Sequence, residues 1–205
     1  YVYNDNILHH NLIILCNKMQ SEDFLVPDGY KKNCLEYLLD WIEQQEEDSL
    51  PYKRSRIALE KIAKHIPHKA FFMLSESGLT PINRILKLRD ITLLDSLLKN
   101  NLPEVTSTSE IEHLRENLMN SMNEKMIEQA KLFINLLPYD KLLYNQHHTT
   151  PIHQAIHNKQ EEIAIHIVRT CAPMADQARS LWSVYDKDGN SFLHLAIENH
   201  LVDLK

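Results

Sequence analysis

The chain has 205 residues and a formal net charge of −6 at pH 7, with 43% apolar residues, eight Pro and only three Gly. This composition is typical of a mostly helical globular protein and argues against a disordered one. A negative net charge argues against general nucleic-acid binding, which needs a basic surface to neutralise phosphates. No apolar run approaches the roughly 20 residues that span a bilayer, so no membrane span is expected.

The three cysteines, Cys16, Cys34 and Cys171, are odd in number and far apart in the sequence. Neither a disulfide framework nor a paired-cysteine zinc motif follows from that spacing, which favours a reducing compartment and predicts a cytoplasmic protein. The chain starts at Tyr1 rather than at methionine and stops at Lys205, just as a predicted helix begins. We interpret it as a fragment, whose targeting signal could lie outside.

Three helices are predicted before residue 70. They cover residues 5–20, 33–45 and 53–65, the second ending in an acidic run and the third being basic. The acidic and basic ends could pair, but an exposed ion pair is worth only about 0–1 kcal/mol, so we interpret them as solvated faces. The side chains predicted to face inward are Ile7, Leu8, Leu12, Leu15 and Met19, then Leu35, Leu38, Leu39 and Ile42, then Ile57, Ile62, Ala63 and Ile66.

A short motif recurs along the rest of the chain. Its clearest copy covers residues 150–155, where Thr150 offers an N-cap oxygen and Pro151 suits the first helical position. Related stretches occupy residues 78–85 and 189–196, and each copy follows an apolar run and a polar tip. Two copies are also followed by a second apolar helix, with Leu93, Leu94, Leu97 and Leu98 in one case and Ile163, Ala164, Ile167 and Val168 in the other.

A further unit is expected between the first two copies, because Thr80 and Thr150 are 70 positions apart, about two repeat lengths. The stretch Ser107–Glu110 is similar to a helix cap, although the motif itself is absent there. Two apolar series at helical spacing follow, and they predict an antiparallel helix pair over residues 108–137. Their members are Ile111, Leu114, Leu118 and Met122, then Met126, Ala130, Phe133 and Leu137.

This pattern resembles the ankyrin repeat, whose signature is T-P-L-H-x-A in a unit of about 33 residues. The resemblance implies an all-α fold, an ankyrin-type helical solenoid with short hairpin tips, preceded by an N-terminal helical cap or small helical domain at residues 1–70. The ankyrin repeat region would cover residues 71–205, with repeats at about 71–101, 107–138, 139–171 and 181–205, the last truncated. Asn83, Ile85 and His148 depart from the pattern, where histidine, alanine and glycine are usual.

The resemblance also implies a function, because ankyrin repeats bind other proteins through a concave strip of tips and first helices. The chain is therefore expected to be a monomeric protein-binding module without a cofactor, its partner protein being unidentified. Two partner-binding candidates, Leu79 and Leu88, could anchor an apolar side chain or be lone surface leucines. Carried over by position, the partner-binding residues are Glu76, Ser77, Leu79, Lys87, Leu88, Gln146, His147, Thr149, His157, Asn158, Lys187, Asp188, Asn190, Glu198 and Asn199.

An alternative follows from composition. Irregular repeats rich in Asn, Lys, Ile and His are similar to ankyrin proteins that intracellular bacteria deliver into host cells. The chain would then be the targeting region of a larger secreted effector or enzyme in the host-cell cytosol, with a catalytic domain outside this fragment.

Metal binding and catalysis are the chemical alternatives. His153 and His157, four apart on one helix, could share a zinc ion, with His147 and His148 nearby in sequence. In the ankyrin family, however, the histidine of the motif ties the helix start to the neighbouring hairpin. A nucleophilic Cys34 or Cys16 would need one of His9, His10 or His65 as its base, and nothing local enforces that contact. We therefore expect neither a metal site nor an enzyme.

Overall fold

The computed structural model is all-α. It describes residues 14, 18, 23, 25–27, 32–47, 49–75, 78–101, 107–143, 150–172 and 183–201. Within these residues the regular structure is helical, apart from an isolated antiparallel bridge between Tyr185 and Ser191. None of the helices in the described ranges combines the length and the apolar content that crossing a bilayer requires. The chain divides into two compact units, Tyr1–Glu104 and Val105–Lys205.

The first unit contains helices α1 (Cys34–Glu43), α2 (Leu50–Ala63), α3 (Pro81–Lys87) and α4 (Ile91–Asn101), with a 3₁₀ helix at His68–Phe72 before α3. The second and third predicted helices are thereby confirmed. Helix α2 begins three residues earlier than predicted, because the hydroxyl of Ser49 caps it by accepting from the backbone N–H of Tyr52 at 3.2 Å. The helix predicted over residues 5–20 lies outside the described residues, apart from isolated positions.

Helix α1 packs against α2 and α3, and α2 packs against α4. The inward faces follow the prediction with one exception, Ile57, whose side chain is 48% exposed. The helical phase explains this, since Ala58, Leu59 and Ile62 are fully buried and leave Ile57 on the outer side. A buried Ser55 takes the inward position instead, and its hydroxyl donates to the carbonyl of Pro51 at 2.8 Å.

The second unit contains α5 (Thr108–Asn123), α6 (Ile127–Leu136), α7 (Tyr139–Leu142), α8 (Pro151–His157), α9 (Glu161–Cys171) and α10 (Phe192–Glu198). Helices α5 and α6 pack closely as a hairpin, which confirms the helix pair predicted over residues 108–137. All eight apolar residues of its two predicted series are buried. The hairpin lies beside the repeat at Thr150, because α6 packs against α9 and α5 against α8.

The same turn follows four helices, α3, α5, α8 and α10. A non-glycine residue with φ between 55° and 60° ends each one, namely Arg89, Lys125, Lys159 and His200. In three cases the next residue donates its N–H to a carbonyl five positions back, at 2.8–2.9 Å, as Gln160 does to Ala155. This is the Schellman ending of a helix. The unit without the motif therefore ends its first helix with the same bond as α8 and α10 and with the left-handed residue that α3 also has, although α5 is 16 residues long and the others seven.

The two glycine-containing tips also share one geometry. Gly78 and Gly189 adopt φ values of 73° and 81°, the left-handed region that favours glycine. One backbone hydrogen bond closes each tip around its glycine. The N–H of Ser75 donates to the carbonyl of Leu79 at 3.0 Å, and the N–H of Asp186 donates to the carbonyl of Asn190 at 2.9 Å. The tip at His148 lies outside the described residues.

Candidate functional site

A groove of about 480 Å³ crosses the first unit, between α1 and the repeat at Thr80. Its floor and walls come from three elements, the segment leading into α1 with α1 itself, the hairpin tip, and α3. The lining residues are Lys32, Glu36, Asp40, Glu43, Ser75, Leu79, Arg84, Lys87 and Leu88. Three of the predicted partner-binding residues, Leu79, Lys87 and Leu88, thus lie together.

Local sequence places the α3 side chains. The hydroxyl of Thr80 accepts from the N–H of Asn83 at 3.3 Å, and the amide oxygen of Asn83 accepts from the N–H of Thr80 at 3.0 Å. This capping box fixes where α3 begins. Asparagine therefore satisfies the helix start at a position where the motif has histidine. Because the start is fixed, Arg84, Lys87 and Leu88 fall on the side of α3 that lines the groove.

Arg84 holds the groove together. Its guanidinium donates to both carboxylate oxygens of Glu43 at 2.9 Å and to Oδ1 of Asp40 at 2.7 Å. It also donates to the backbone carbonyl of Glu36 at 3.3 Å. Lys32 donates to the other oxygen of Asp40 at 2.6 Å. Bidentate contact to a carboxylate is the geometry that suits a planar guanidinium, so these bonds fix α3 against α1.

The carboxyl groups differ in their surroundings. Burial pushes the pKa of Asp40 up, but hydrogen bonds from Lys32 and Arg84 outweigh it and leave that pKa below its ordinary value. Burial raises the pKa of Glu36, and the positive charge of Arg84 opposes this only in part. Glu36 is 3% exposed, and its Oε1 is buried without a hydrogen bond. Asp40 is therefore held ionised, whereas desolvation disfavours the charge on Glu36.

The groove combines hydrogen-bonded charged side chains on its floor with apolar side chains at its rim. Leu79 and Leu88 are half-buried, so each keeps some apolar surface in contact with water, and Lys87 is exposed beside them. Sequence reasoning identified these three but missed the acidic wall. A signal was present, because Glu36, Asp40 and Glu43 are spaced i, i+4 and i+7, which places them on one face of α1.

The predicted residues of the second unit are distributed over separate elements. Lys187 and Asp188 are exposed at the last tip. The tip is ordered by the carboxylate of Asp186, which accepts from the N–H groups of Asp188 and Asn190 at 2.9 and 2.7 Å. Asn190 is therefore hydrogen-bonded within the turn, whereas the side chains of Lys187 and Asp188 are accessible to a partner.

On the first helices of the second unit, His157 and Glu198 are exposed, whereas Asn158 and Asn199 make bonds within the protein. The amide group of Asn158 accepts from Gln154 at 3.0 Å and donates to the carbonyl of Met122 at 3.5 Å, and so connects α8 with α5. Asn199 donates to the carbonyl of Leu195 at 2.9 Å. The remaining predicted residues, Glu76, Ser77, Gln146, His147 and Thr149, lie outside the described residues.

His153 and His157 point to different surroundings. His153 is completely buried, and its Nδ1 is hydrogen-bonded to the hydroxyl of Thr150 at 2.6 Å. Burial lowers the pKa of His153, although the backbone of Asn190 in the neighbouring tip favours the protonated ring. His157, one helical turn further along α8, is exposed. Within the described ranges, no group of three or more His, Cys, Asp and Glu side chains could hold a metal ion.

The two described cysteines differ in burial. Cys34 is half-buried at the start of α1, whereas Cys171 is fully buried at the end of α9. Burial raises the pKa of the Cys171 thiol to about 11, so the nucleophilic thiolate is disfavoured at neutral pH. The other candidates for catalysis, Cys16, His9 and His10, lie outside the described residues.

No protein-family model matches the chain, and no curated protein or solved structure is significantly similar to it.

Proposed function

We propose that this chain is an ankyrin-repeat protein that binds a partner protein through its hairpin tips and the first helices of its repeats. Support for the family comes from recurring features: a glycine-containing polar tip before α3 and α10, a left-handed turn after α3, α5, α8 and α10, and a second helix after α3, α5 and α8. The unit at residues 107–138 has these features from the cap onwards. Stacked units of this kind bury a shared core while leaving the tips accessible.

The observation that carries the binding function is the groove of the first unit. Two half-buried leucines, Leu79 and Leu88, border it together with the exposed Lys87. Apolar side chains beside a polar wall are the usual composition of a small protein-binding site, with the apolar part supplying affinity and the charges supplying orientation. The Arg84 bonds reduce the reorganisation that binding would require, because the wall is already ordered.

The test is site-specific cross-linking followed by affinity measurement. A photoreactive amino acid at Leu88 should cross-link a partner from cell lysate, whereas the same group at Lys99, an exposed position on α4, should not. The partner so identified should then lose about tenfold or more in affinity for Leu88→Glu, because a charge would be buried against an apolar contact. Equal cross-linking from Leu88 and Lys99, or unchanged affinity, would refute binding at the groove.

The second candidate from the sequence is the targeting region of a larger secreted bacterial effector or enzyme. The same surface would then bring the catalytic domain to its host target. The full-length coding sequence distinguishes the two, because the effector hypothesis requires a catalytic domain beyond these residues, and the plain binding module does not.

A further inference from the structure

The outer side of α2 carries a stripe that neither the groove nor the core uses. At 100° per residue, six side chains fall within an arc of about 100° along the helix and its C-cap. We call this stripe the basic ridge, and its members are Leu50, Lys53, Arg54, Ile57, Lys61 and Lys64. Five of them are exposed and Arg54 is half-buried, so the ridge faces solvent over its whole length.

The ridge is strongly positive in an otherwise acidic chain. Residues 49–75 contain six Lys and Arg but one acidic residue, whereas the whole chain has a net charge of −6. That acidic residue, Glu60, lies off the ridge and pairs with Arg56 at 3.2 Å. No ion pair in the described part of the chain engages Arg54, Lys61 or Lys64. The charges of Arg54, Lys61 and Lys64 are therefore available to an external anionic surface.

Two aliphatic side chains run along the middle of the ridge. Leu50 and Ile57 are 59% and 48% exposed and lie seven residues apart, on the same face of the helix. The cations lie on both sides of this line. The opposite face of α2 is held in the core by Ala58, Leu59 and Ile62, so the ridge is rigid and about 20 Å long.

We propose that the basic ridge docks the protein on an anionic phospholipid membrane surface. Leu50 and Ile57 would enter the boundary between headgroups and acyl chains, while Arg54, Lys61 and Lys64 reach back to the lipid phosphates along their flexible stems. A convex ridge brings all six side chains against a fluid surface at once. The exposed Glu46 and Glu47 lie next to the Leu50 end of the ridge and oppose docking there, so the favourable charge is that of Lys61 and Lys64 at the other end, whereas salt screens charges beyond about 8–10 Å.

The magnitudes favour lipid over an acidic protein. Each Lys or Arg next to an anionic leaflet raises the membrane partition coefficient about fivefold. An exposed ion pair with a protein carboxylate raises an association constant by a factor between about one and five. This surface is separate from the proposed partner-binding groove, so either proposal can fail without the other.

Co-sedimentation with vesicles tests the proposal. The 205-residue chain should bind vesicles containing about 30 mol% phosphatidylserine at least tenfold more strongly than pure phosphatidylcholine vesicles, and salt should weaken binding. Lys61→Gln combined with Lys64→Gln should reduce binding about 30-fold. Ile57→Ser should reduce it about threefold to tenfold, because its apolar surface is lost from the lipid.

The matched control removes the same charge from other exposed helix positions. Lys99→Gln combined with Arg169→Gln should bind vesicles like the wild type, and circular dichroism should show that every variant is folded. Equal loss in the control and the Lys61 and Lys64 variant would overturn the proposal, since a general charge effect would then explain binding. Failure to bind the anionic vesicles, with retention on immobilised polyglutamate instead, would also overturn it and assign the ridge to an acidic protein.

Discussion

Replacing Arg84 by methionine tests whether the ion pairs of the groove hold α3 against α1. The side chain of Arg84 is 9% exposed, whereas those of Asp40 and Glu43 are 27% and 39% exposed. Removing one partner of a fully buried pair costs about 3–5 kcal/mol, and the water that still reaches these two carboxylates lowers the cost. We therefore expect Arg84→Met to destabilise the first unit by about 2–3 kcal/mol. Lys87→Met, at an exposed position of the same helix, should change stability by less than about 0.5 kcal/mol.

Urea unfolding followed by tryptophan fluorescence provides the measurement. The chain has two tryptophans, Trp41 and Trp182, so a Trp182→Phe background leaves Trp41, which lies on α1, as the reporter of the first unit. A double-mutant cycle with Asp40→Asn should give a coupling energy of about 1 kcal/mol or more. Equal destabilisation by Arg84→Met and Lys87→Met, or additive effects of Arg84→Met and Asp40→Asn, would refute the reasoning.

The pH dependence provides a second check on Arg84. The pKa of Asp40 is lowered in the folded protein, so its contribution to stability is present above the unfolded pKa and is lost as pH falls through the folded pKa. The substitution removes the positive charge of Arg84, which lowers the pKa of both Asp40 and Glu36 in the wild type. The stability difference between wild type and Arg84→Met should therefore shrink between about pH 5 and pH 3. A difference that stays constant over that range would contradict an electrostatic origin.

Three further predictions concern the second unit. Ala155→Leu should destabilise it by about 1–3 kcal/mol in thermal unfolding, because Ala155 is fully buried, whereas Leu at the exposed Ala172 should have little effect. Lys159→Gly should stabilise the second unit by up to about 1 kcal/mol, because Lys159 has a φ of 56°, which glycine adopts without strain. As a control, Glu162→Gly on the exposed side of α9 should cost about 1 kcal/mol. Equal effects of the two substitutions would refute strain at the turn. Burial lowers the pKa of His153, so the folded protein loses stability as pH falls below about 6.5, where the ring becomes protonated in the unfolded state first. His153→Asn keeps a side chain that can cap the helix but does not titrate. This variant should therefore lose less stability between about pH 7 and low pH, as measured by urea unfolding at each pH.

The sequence by itself determined where several of the helices begin and how the units recur. The caps at Thr80 and Ser107 depend on bonds within three residues, so they can be recognised without the fold. The cap at Ser49 was missed, and the hydroxyl of Thr150 bonds His153 instead of capping the backbone of α8. The apolar stripes are predictable for the same reason, since the helical period alone decides which side chains share a face. The helix pair over residues 108–137 could be predicted in this way although it lacks the motif.

The error at Ile57 shows the limit of that reasoning. An apolar residue in a helix predicts burial, but the phase of α2 is set by which neighbours meet α1 and α4. Those contacts bury the small polar Ser55 and leave Ile57 exposed. Side-chain polarity alone cannot resolve such a choice, because burying one hydroxyl that bonds its own helix costs little.

Only the tertiary structure decided the composition of the groove. Leu79, Lys87 and Leu88 could be named from the repeat pattern, but Arg84 is 41 and 44 positions from the carboxylates of Glu43 and Asp40. An arginine can pair with any acidic side chain within its reach, and sequence spacing does not say which one that is. The packing of α3 on α1 makes the selection, because it brings one guanidinium to the single acidic face of α1 and removes it from water.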